Sequence, residues 1–388
     1  MIINTAARIN TVEEYYFSRK LKELDQLRQK GQHIINLGIG SPDLPPAPAV
    51  IAALGTKSTS SSSHGYQSYR GIPELRVAYA DWYKKYFSVV LKSESEILPL
   101  IGSKEGIMHL SMTFLEAGDE VLIPNPGYPA YAATARLAGA TVRYYHLSEE
   151  QNWLPDLKGL AQTDLTKVKI MWINYPHMPT GASATASLFK ELVDFAQHHK
   201  ILLVNDNPYS FILNDHPRSI LSVPGAKSVA LELNSLSKSH NMAGWRMGML
   251  AGDSAYLQEV MKFKSNMDSG MFRPAMLAAV EALGNPSSWY ENLNTVYRKR
   301  RAVVYKIMDA LNCVYNRDGV GLFVWAKIKD AQKNGFELVD KLLAETGVFV
   351  TPGGIFGSQG DHYIRISLCA NEETLTKAYE LIRERKIS

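Results

Sequence analysis

Between residues 75 and 275 the chain alternates short apolar runs with amphipathic stretches, and this rhythm constrains the fold more than any other feature. The runs that read as strands are EILPLIG, DEVLIPNP, ATVRYYHL, KVKIMWINYP, KILLVNDNP, SVALELNSL and WRMGMLAG. Helical stretches such as LRVAYADWYKKYF, KEGIMHLSMTFLEAG, YAATARLAG and SLFKELVDFAQHH fall among them. Strands apolar on both faces and alternating with helices predict an α/β fold with a mostly parallel sheet under a cover of helices. Right-handed crossovers then gather the strand-to-helix loops on one sheet edge, where an open α/β protein builds its site.

The remainder divides around this unit. Residues 1–34 carry an amphipathic helix over TVEEYYFSRKLKELDQLRQK, and residues 35–275 form the large domain, opening with the turn-rich HIINLGIGSPDLPPAPAV. Beyond residue 275 long helices meet GLFVWAKI, VFVTPG and HYIRISLC, which predicts a smaller α+β domain over 276–388, joined by the N-terminal segment. The run KSTSSSSHGY reads as an exposed mobile loop.

Composition removes several function classes. Hydrophobic residues make up 46% and charged residues 21%, so the chain folds rather than staying disordered. Lys+Arg 42 against Asp+Glu 38, with no dense basic block, makes nucleic acid an unexpected partner. Cys313 and Cys369 stand far apart with no C-x-x-C, which points to a reducing compartment and to no zinc site. No signal-peptide core or membrane-length apolar run is visible, so a cytoplasmic protein without a membrane partner is expected.

Polar segments follow the predicted strands: GSK at 102–104, NPGYPAY at 125–131, NYPHMPTG at 174–181, NDNPYS at 205–210 and NSLSKSH at 234–240. Together they outline a single cleft. GxxxxGK[ST] is absent and GIGSPD fails GxGxxG, so the nucleotide signatures give no warrant for ATP, GTP or NAD. Lys238 lies among Ser235, Ser237 and Ser239. Most lysines at a strand end are solvated charges, but an amine in a cleft beside anion-binding hydroxyls suits condensation with an aldehyde once its pKa is lowered. Asp206 closes a buried strand, where it either caps a turn or holds a proton on an aromatic nitrogen base. Tyr209 is placed to return to the same face. Gly102, Ser103 and Lys104 sit at a helix start, whose free N–H groups bind phosphate, and Arg246 is one short turn from Lys238. Arg365, in an otherwise apolar strand, either forms a surface ion pair or grips a substrate carboxylate.

The ordered set YQSYRG, IGSKEG, PGYPAY, PTG, NDNPY, SLSKSHNMAGWRMG and YIRIS resembles the class I and II pyridoxal-phosphate-dependent aminotransferases of fold type I. It covers about residues 34 to 370, and IGSKEG and NMAGWRMG are most similar to the aspartate, alanine and LL-diaminopimelate aminotransferase group. The resemblance implies a seven-stranded large-domain sheet, pyridoxal 5′-phosphate as cofactor, and amino-acid and 2-oxo-acid substrates, 2-oxoglutarate being the expected acceptor. It implies that Lys238 attaches the cofactor and shuttles the substrate's α-proton, that Asp206 pairs with the pyridine nitrogen, that Tyr209 bonds the phenolic oxygen and that Tyr128 stacks on the ring. Ser103, the Lys104 backbone, Ser235, Ser237 and Arg246 form the phosphate cup. Tyr66 reaches the phosphate of a neighbouring subunit in a homodimer with shared sites, Arg365 binds the α-carboxylate, and Gly38 or Gly40 closes over the substrate.

One position departs from the family pattern. HMPTG places Met178 where an asparagine that touches both cofactor and substrate is usual, and Pro208 replaces a smaller residue. Methionine cannot donate that hydrogen bond. Arg70, Arg273 or a residue of the neighbouring subunit is the candidate for a second cation that a dicarboxylate substrate would need. The readings are therefore transamination first, β- or γ-elimination on the same fold second, and a catalytically silent cofactor-binding protein third.

Overall fold

A computed structural model of the chain describes residues 2–329 and 332–385. Its large sheet contains β1 (Ile97–Leu100), β2 (Glu120–Asn125), β3 (Thr141–His146), β4 (Val168–Ile173), β5 (Leu202–Asp206), β6 (Ala230–Ser235) and β7 (Gly248–Ala251). These are the seven runs expected from the sequence. Their order is β1-β7-β6-β5-β4-β2-β3, and β7 alone runs antiparallel to its neighbours. The carboxyl ends of the other strands therefore share one edge with the amino end of β7. Leu100 and Ser235 both pair with Gly248, which fixes that register.

Burial follows sheet position. β4, β5 and β6 are almost wholly buried because helices cover both faces. β3 was expected to be buried as well, yet only Tyr145 in it is, because it is an edge strand paired on one side alone. The loop expected at Ser58–Ser63 is partly ordered: Ser58 ends the helix Pro48–Ser58, a 3-10 turn spans Ser61–Ser63, and Ser63 is buried with its hydroxyl donating to the Lys57 carbonyl at 2.9 Å.

A second, four-stranded antiparallel sheet orders Thr351–Pro352, Tyr363–Ser367, Phe323–Lys327 and Val314–Tyr315. The N-terminal helix Tyr16–Gln29 buries Leu24 in the apolar cluster under this sheet, and Ile35–Asn36 pairs parallel with Val348–Phe349. Helix Arg273–Leu283 packs differently from the sequence expectation: Met276, Ala278 and Ala282 join the cluster of Trp82 and Leu188, on the side of the large sheet. The helix Ser287–Ala310 spans both bodies, with Tyr290 in the first cluster and Tyr297, Val304 and Ile307 in the second. Its buried Arg300 donates to both oxygens of Asp43 at 2.6 and 2.9 Å and to the Leu368 carbonyl at 3.1 Å. That fork ties the segment after Gly40 to the strand carrying Arg365, so both are positioned by one buried charge.

Among the described residues no helix is long and apolar enough to cross a membrane.

Candidate active site

At the shared strand edge lies a cleft of about 720 Å³. Every polar segment that follows a predicted strand contributes to its wall, from Ser103 through Tyr128, Asn174, Asp206 and Lys238. The second body closes the far side with Phe323, Phe356 and Arg365, and the N-terminal helix covers it with Phe17 and Leu21.

Asp206 ends β5 and is 5% exposed. The Tyr131 hydroxyl donates to its Oδ2 at 2.9 Å, while Oδ1 is buried with no partner. Burial drives its carboxyl up to about 7, an effect that the Tyr131 hydrogen bond opposes and Glu232 reinforces. Asn174 donates to the Asp206 carbonyl and accepts from the Met178 backbone N–H at 2.8 Å, which ties two strand ends together. Tyr131 itself stacks on Trp172 at 4.7 Å with the rings 6° from parallel. A carboxylate with one oxygen held and the other orphaned is arranged to meet a cationic N–H.

Lys238 belongs to the short helix Leu236–Ser239, and its ammonium donates to the Gly40 carbonyl at 2.5 Å. Burial lowers its pKa, Cys369 acts the other way, and Arg365 and Arg246 add to the lowering. That combination favours the neutral amine a nucleophile and proton carrier requires. Gly40 has no room for a Cβ, which would enter the Phe323 ring, so the backbone here approaches the cleft as only glycine allows.

An anion cradle occupies the other end. Ser103 opens the helix Ser103–Phe114 with Gly102 before it at φ 82°, and a side chain on Gly102 would collide with the Arg246 guanidinium. The Ser235 hydroxyl donates to Ser237 Oγ at 2.7 Å and accepts from the Ser237 N–H at 3.1 Å. Helix N–H groups, two hydroxyls and one guanidinium converge here, as a phosphate requires. The Lys104 ammonium turns aside to lie over the Tyr15 ring at 4.5 Å.

Arg365 is 3% exposed and has no carboxylate partner among the described residues. Nη2 donates to the Gly38 carbonyl at 2.8 Å, Nη1 to Met178 Sδ at 3.3 Å, and Nε is unpartnered. Its guanidinium carbon lies 3.9, 4.6 and 5.6 Å from the ring centres of Phe323, Phe356 and Phe17. Burial lowers its pKa to about 10, so it stays cationic at neutral pH. A buried charge without a counter-ion is costly, and an incoming carboxylate relieves that cost.

Most residues singled out in the sequence meet in this one cleft. Two do not line it. Gly38 contributes its carbonyl to Arg365 from behind the wall, and Tyr66 stands 93% exposed away from the cleft. Nor do the candidate second cations reach it: Arg70 donates to the Glu94 carbonyl at 2.7 Å and Arg273 pairs with Glu74 at 3.3 Å. Other lining residues went unselected, Tyr131, Asn174, Tyr15 and Phe17 among them. Tyr131 and Asn174 sat inside the quoted segments NPGYPAY and NYPHMPTG, whereas Tyr15 and Phe17 carried no signal beyond helical amphipathicity. Outside the cleft lining, Glu105, His109 and Asp268 gather atoms of metal-ligand type, and the buried Lys264 ammonium already pairs with Asp268.

A buried carboxylate with one orphaned oxygen, a helix start beside two hydroxyls and a guanidinium, and a buried amine line one cleft, and these residues fit a phosphate-bearing pyridine aldehyde. The chain belongs to the class I and II aminotransferases, whose family model matches residues 32–382; these are pyridoxal-phosphate-dependent enzymes that transfer amino groups. It is 41% identical over 372 residues to an LL-diaminopimelate aminotransferase of Dehalococcoides mccartyi, covering 95% of this chain and 96% of that one. Its fold superposes on a substrate-bound BacF structure from Bacillus subtilis with TM-score 0.94 at 34% identity, covering 99% of this chain and 98% of the other. A Thermus thermophilus aspartate aminotransferase variant superposes with TM-score 0.91 at 25% identity over 98% of this chain and 99% of that one.

Proposed function

We propose that this enzyme moves the amino group of an L-amino acid to a 2-oxo acid, using the residues of this cleft in the roles their surroundings favour. The observation that carries the reading is the pairing of two incomplete charges across one cavity: Asp206 with a free buried oxygen and Arg365 with no counter-anion. Pyridoxal 5′-phosphate supplies the electron sink that makes a substrate α-proton acidic. Ser103, the Lys104 backbone, Ser235, Ser237 and Arg246 hold its phosphate, and Asp206 keeps the ring nitrogen protonated while Tyr131 fixes that carboxylate. Tyr128 would pack on the ring face and Tyr209 would donate to the phenolic oxygen. Arg365 binds the substrate's α-carboxylate, with Gly40 approaching through its backbone. Lys238 would hold the cofactor through its amine, and the same amine, buried and made easier to deprotonate, would serve as the base that carries the substrate's α-proton.

Paired amino acids and 2-oxo acids, with 2-oxoglutarate among the acceptors, test the reading. Stoichiometric appearance of a new amino acid without ammonia is expected. Ammonia as the nitrogen product would replace transamination with elimination.

The division of labour between bodies is part of the same reading. The large unit carries the cofactor site, and the smaller unit, including residues 1–34, contributes Arg365 and the cover. The expected boundary lies after residue 275; the burial of Met276 with Trp82 and the passage of the helix Ser287–Ala310 from one cluster to the other support a change of unit further along, within that helix. Location in the cytoplasm accords with the two unpaired cysteines, Cys313 and Cys369.

The exposure of Tyr66 supports a homodimer in which that tyrosine completes the neighbour's phosphate cradle. Light scattering should give twice the 43.2 kDa chain mass or a multiple of it. Mixed dimers of Tyr66→Phe and Lys238→Ala subunits should keep more activity than either parent variant; an active monomer would contradict the shared site.

Met178 is 6% exposed, packed with Trp325 and Phe356, and holds its sulfur toward Arg365. Met178→Asn should return a donor toward the phenolic oxygen and raise kcat/KM about 10-fold, since one hydrogen bond to a charged group is worth roughly 1.5–3 kcal/mol. It should also lower stability by about 1–3 kcal/mol through the buried amide. Steady-state kinetics at saturating cofactor and a thermal melt check both signs.

A further inference from the structure

We propose that His240 and Tyr290 are positioning residues for Lys238: through one buried chain of hydrogen bonds they fix the single helical turn that presents its amine to the cleft. The inference rests on the reading of Lys238 above and adds two residues to it.

The turn cannot hold itself. Leu236–Ser239 is four residues long, and one turn of helix has no stability of its own in water. Its entry is fixed by the Ser235 hydroxyl, which accepts from the Ser237 N–H, and by the Leu236 N–H, which donates to the Met247 carbonyl at 3.0 Å. Its exit is fixed from another element, the helix Ser287–Ala310. Trp289 Nε1 donates to the Ser239 carbonyl at 2.9 Å. The His240 ring lies between Ser239 Oγ, 2.9 Å from Nδ1, and the Tyr290 hydroxyl, 3.0 Å from Nε2. Tyr290 in turn accepts from Trp82 Nε1 at 2.9 Å, and its ring stacks on Phe211 at 4.5 Å.

Donor and acceptor roles follow along the chain of bonds. An indole N–H only donates, so the Tyr290 oxygen accepts there and its own proton goes to His240 Nε2. Nδ1 then carries the ring proton and donates to Ser239 Oγ. Burial lowers the His240 pKa to about 3, against a smaller opposing effect of the Ala282 carbonyl, so the ring stays neutral at neutral pH. It holds a position and carries no proton to the substrate. Ser239, His240, Tyr290 and Trp82 are all buried, so the link is complete within one chain. Further along the same helix Arg300 forks onto Asp43, in the segment after Gly40, and reaches the Leu368 carbonyl. One rod therefore anchors both the turn of Lys238 and the strand of Arg365. These two must stay in register if the amine is to reach an α-proton while the carboxylate is held.

The test compares Tyr290→Phe, His240→Phe and the double variant as cofactor-loaded enzymes, with thermal melts to show that each is folded. Each single variant should lower kcat about 10-fold and leave KM for the amino acid within about 2-fold, because the amine is misplaced while Arg365 is not. The double variant should lose no more than either single, since both cut the same link. His240→Gln, whose carbonyl can still accept from the Tyr290 hydroxyl, should recover part of the rate. A second readout needs no turnover. When cofactor-free protein is mixed with pyridoxal 5′-phosphate, absorbance should report covalent attachment slowed about 10-fold in Tyr290→Phe, with the noncovalent affinity unchanged. Lower melting temperatures with native kcat and native attachment overturn the positioning role, and losses that multiply in the double variant overturn the single link. Attachment of the native protein at a lysine other than Lys238 overturns the reading of Lys238 and this proposal with it; attachment at Lys238 at unchanged rates in the variants overturns the proposal alone.

Discussion

Lys238→Ala is expected to fold, to bind the cofactor noncovalently and to exchange the substrate α-proton at least about 100-fold more slowly than the native enzyme. The reason lies in its surroundings. The amine is buried, its proton is made easier to lose, and its one hydrogen-bond partner is the backbone carbonyl of Gly40. Among the described residues no other lysine stands at this point: Lys104 is turned onto Tyr15, and the remaining cations in the wall are the guanidiniums of Arg246 and Arg365, which do not give up protons at neutral pH. Hydrogen–deuterium exchange at the α-carbon, followed by NMR, separates this loss from a defect in substrate binding. Exchange at a near-native rate would show that another base does the work.

Asp206→Ala should lower kcat by about 100-fold, equivalent to roughly 3 kcal/mol, with a smaller change in cofactor affinity. Neither Arg246 nor the Ser235 and Ser237 hydroxyls bond to the carboxylate, so binding should survive while electron withdrawal through the ring does not. Near-native turnover at saturating cofactor would remove Asp206 from the chemistry. The same carboxyl gives a pH signature in the cofactor-free protein. Its folded pKa, about 7, is above its ordinary 3.8, so the folded state prefers the neutral acid. The stability it contributes is fully present below about 4 and is lost as pH rises through about 7. Asp206→Asn, which cannot ionise, should flatten the fall in melting temperature across that window, and an unchanged profile would show that the carboxyl is not buried uncompensated.

The sheet was legible because its strands are apolar on both faces and end in polar segments. β5 illustrates this: ILLVND is continuous apolar sequence closed by a carboxylate, and the structure puts that carboxylate at the cleft. Other features depend on contacts that periodicity cannot express. The helix Pro48–Ser58 was hidden because its prolines read as turns, although a proline in the first helical turn costs nothing. Arg273–Leu283 has a helical pattern whichever body it packs on, so its attachment beside Trp82 had no local signature.

Legibility within the site divides along the same line. Residues recruited by strand ends, such as Ser103, Asp206 and Lys238, announced themselves through residue type and position. Tyr131 became visible only when the helix after β2 turned its first-turn face toward β5, and Phe17 only when a segment more than 300 residues earlier than Arg365 in the chain folded onto it. Arg365 itself was ambiguous in sequence between a surface ion pair and a ligand for a carboxylate; burial without any acidic partner favours the second.

The most direct measurement reduces the cofactor-loaded enzyme chemically, digests it and maps the cofactor's mass onto the peptides. The modified residue should be Lys238, in the peptide containing SLSKSH, with no other lysine carrying the mass. Attachment at Lys104, or at any lysine outside the cleft, would contradict the placement of the reaction between Asp206, Arg365 and the phosphate cradle.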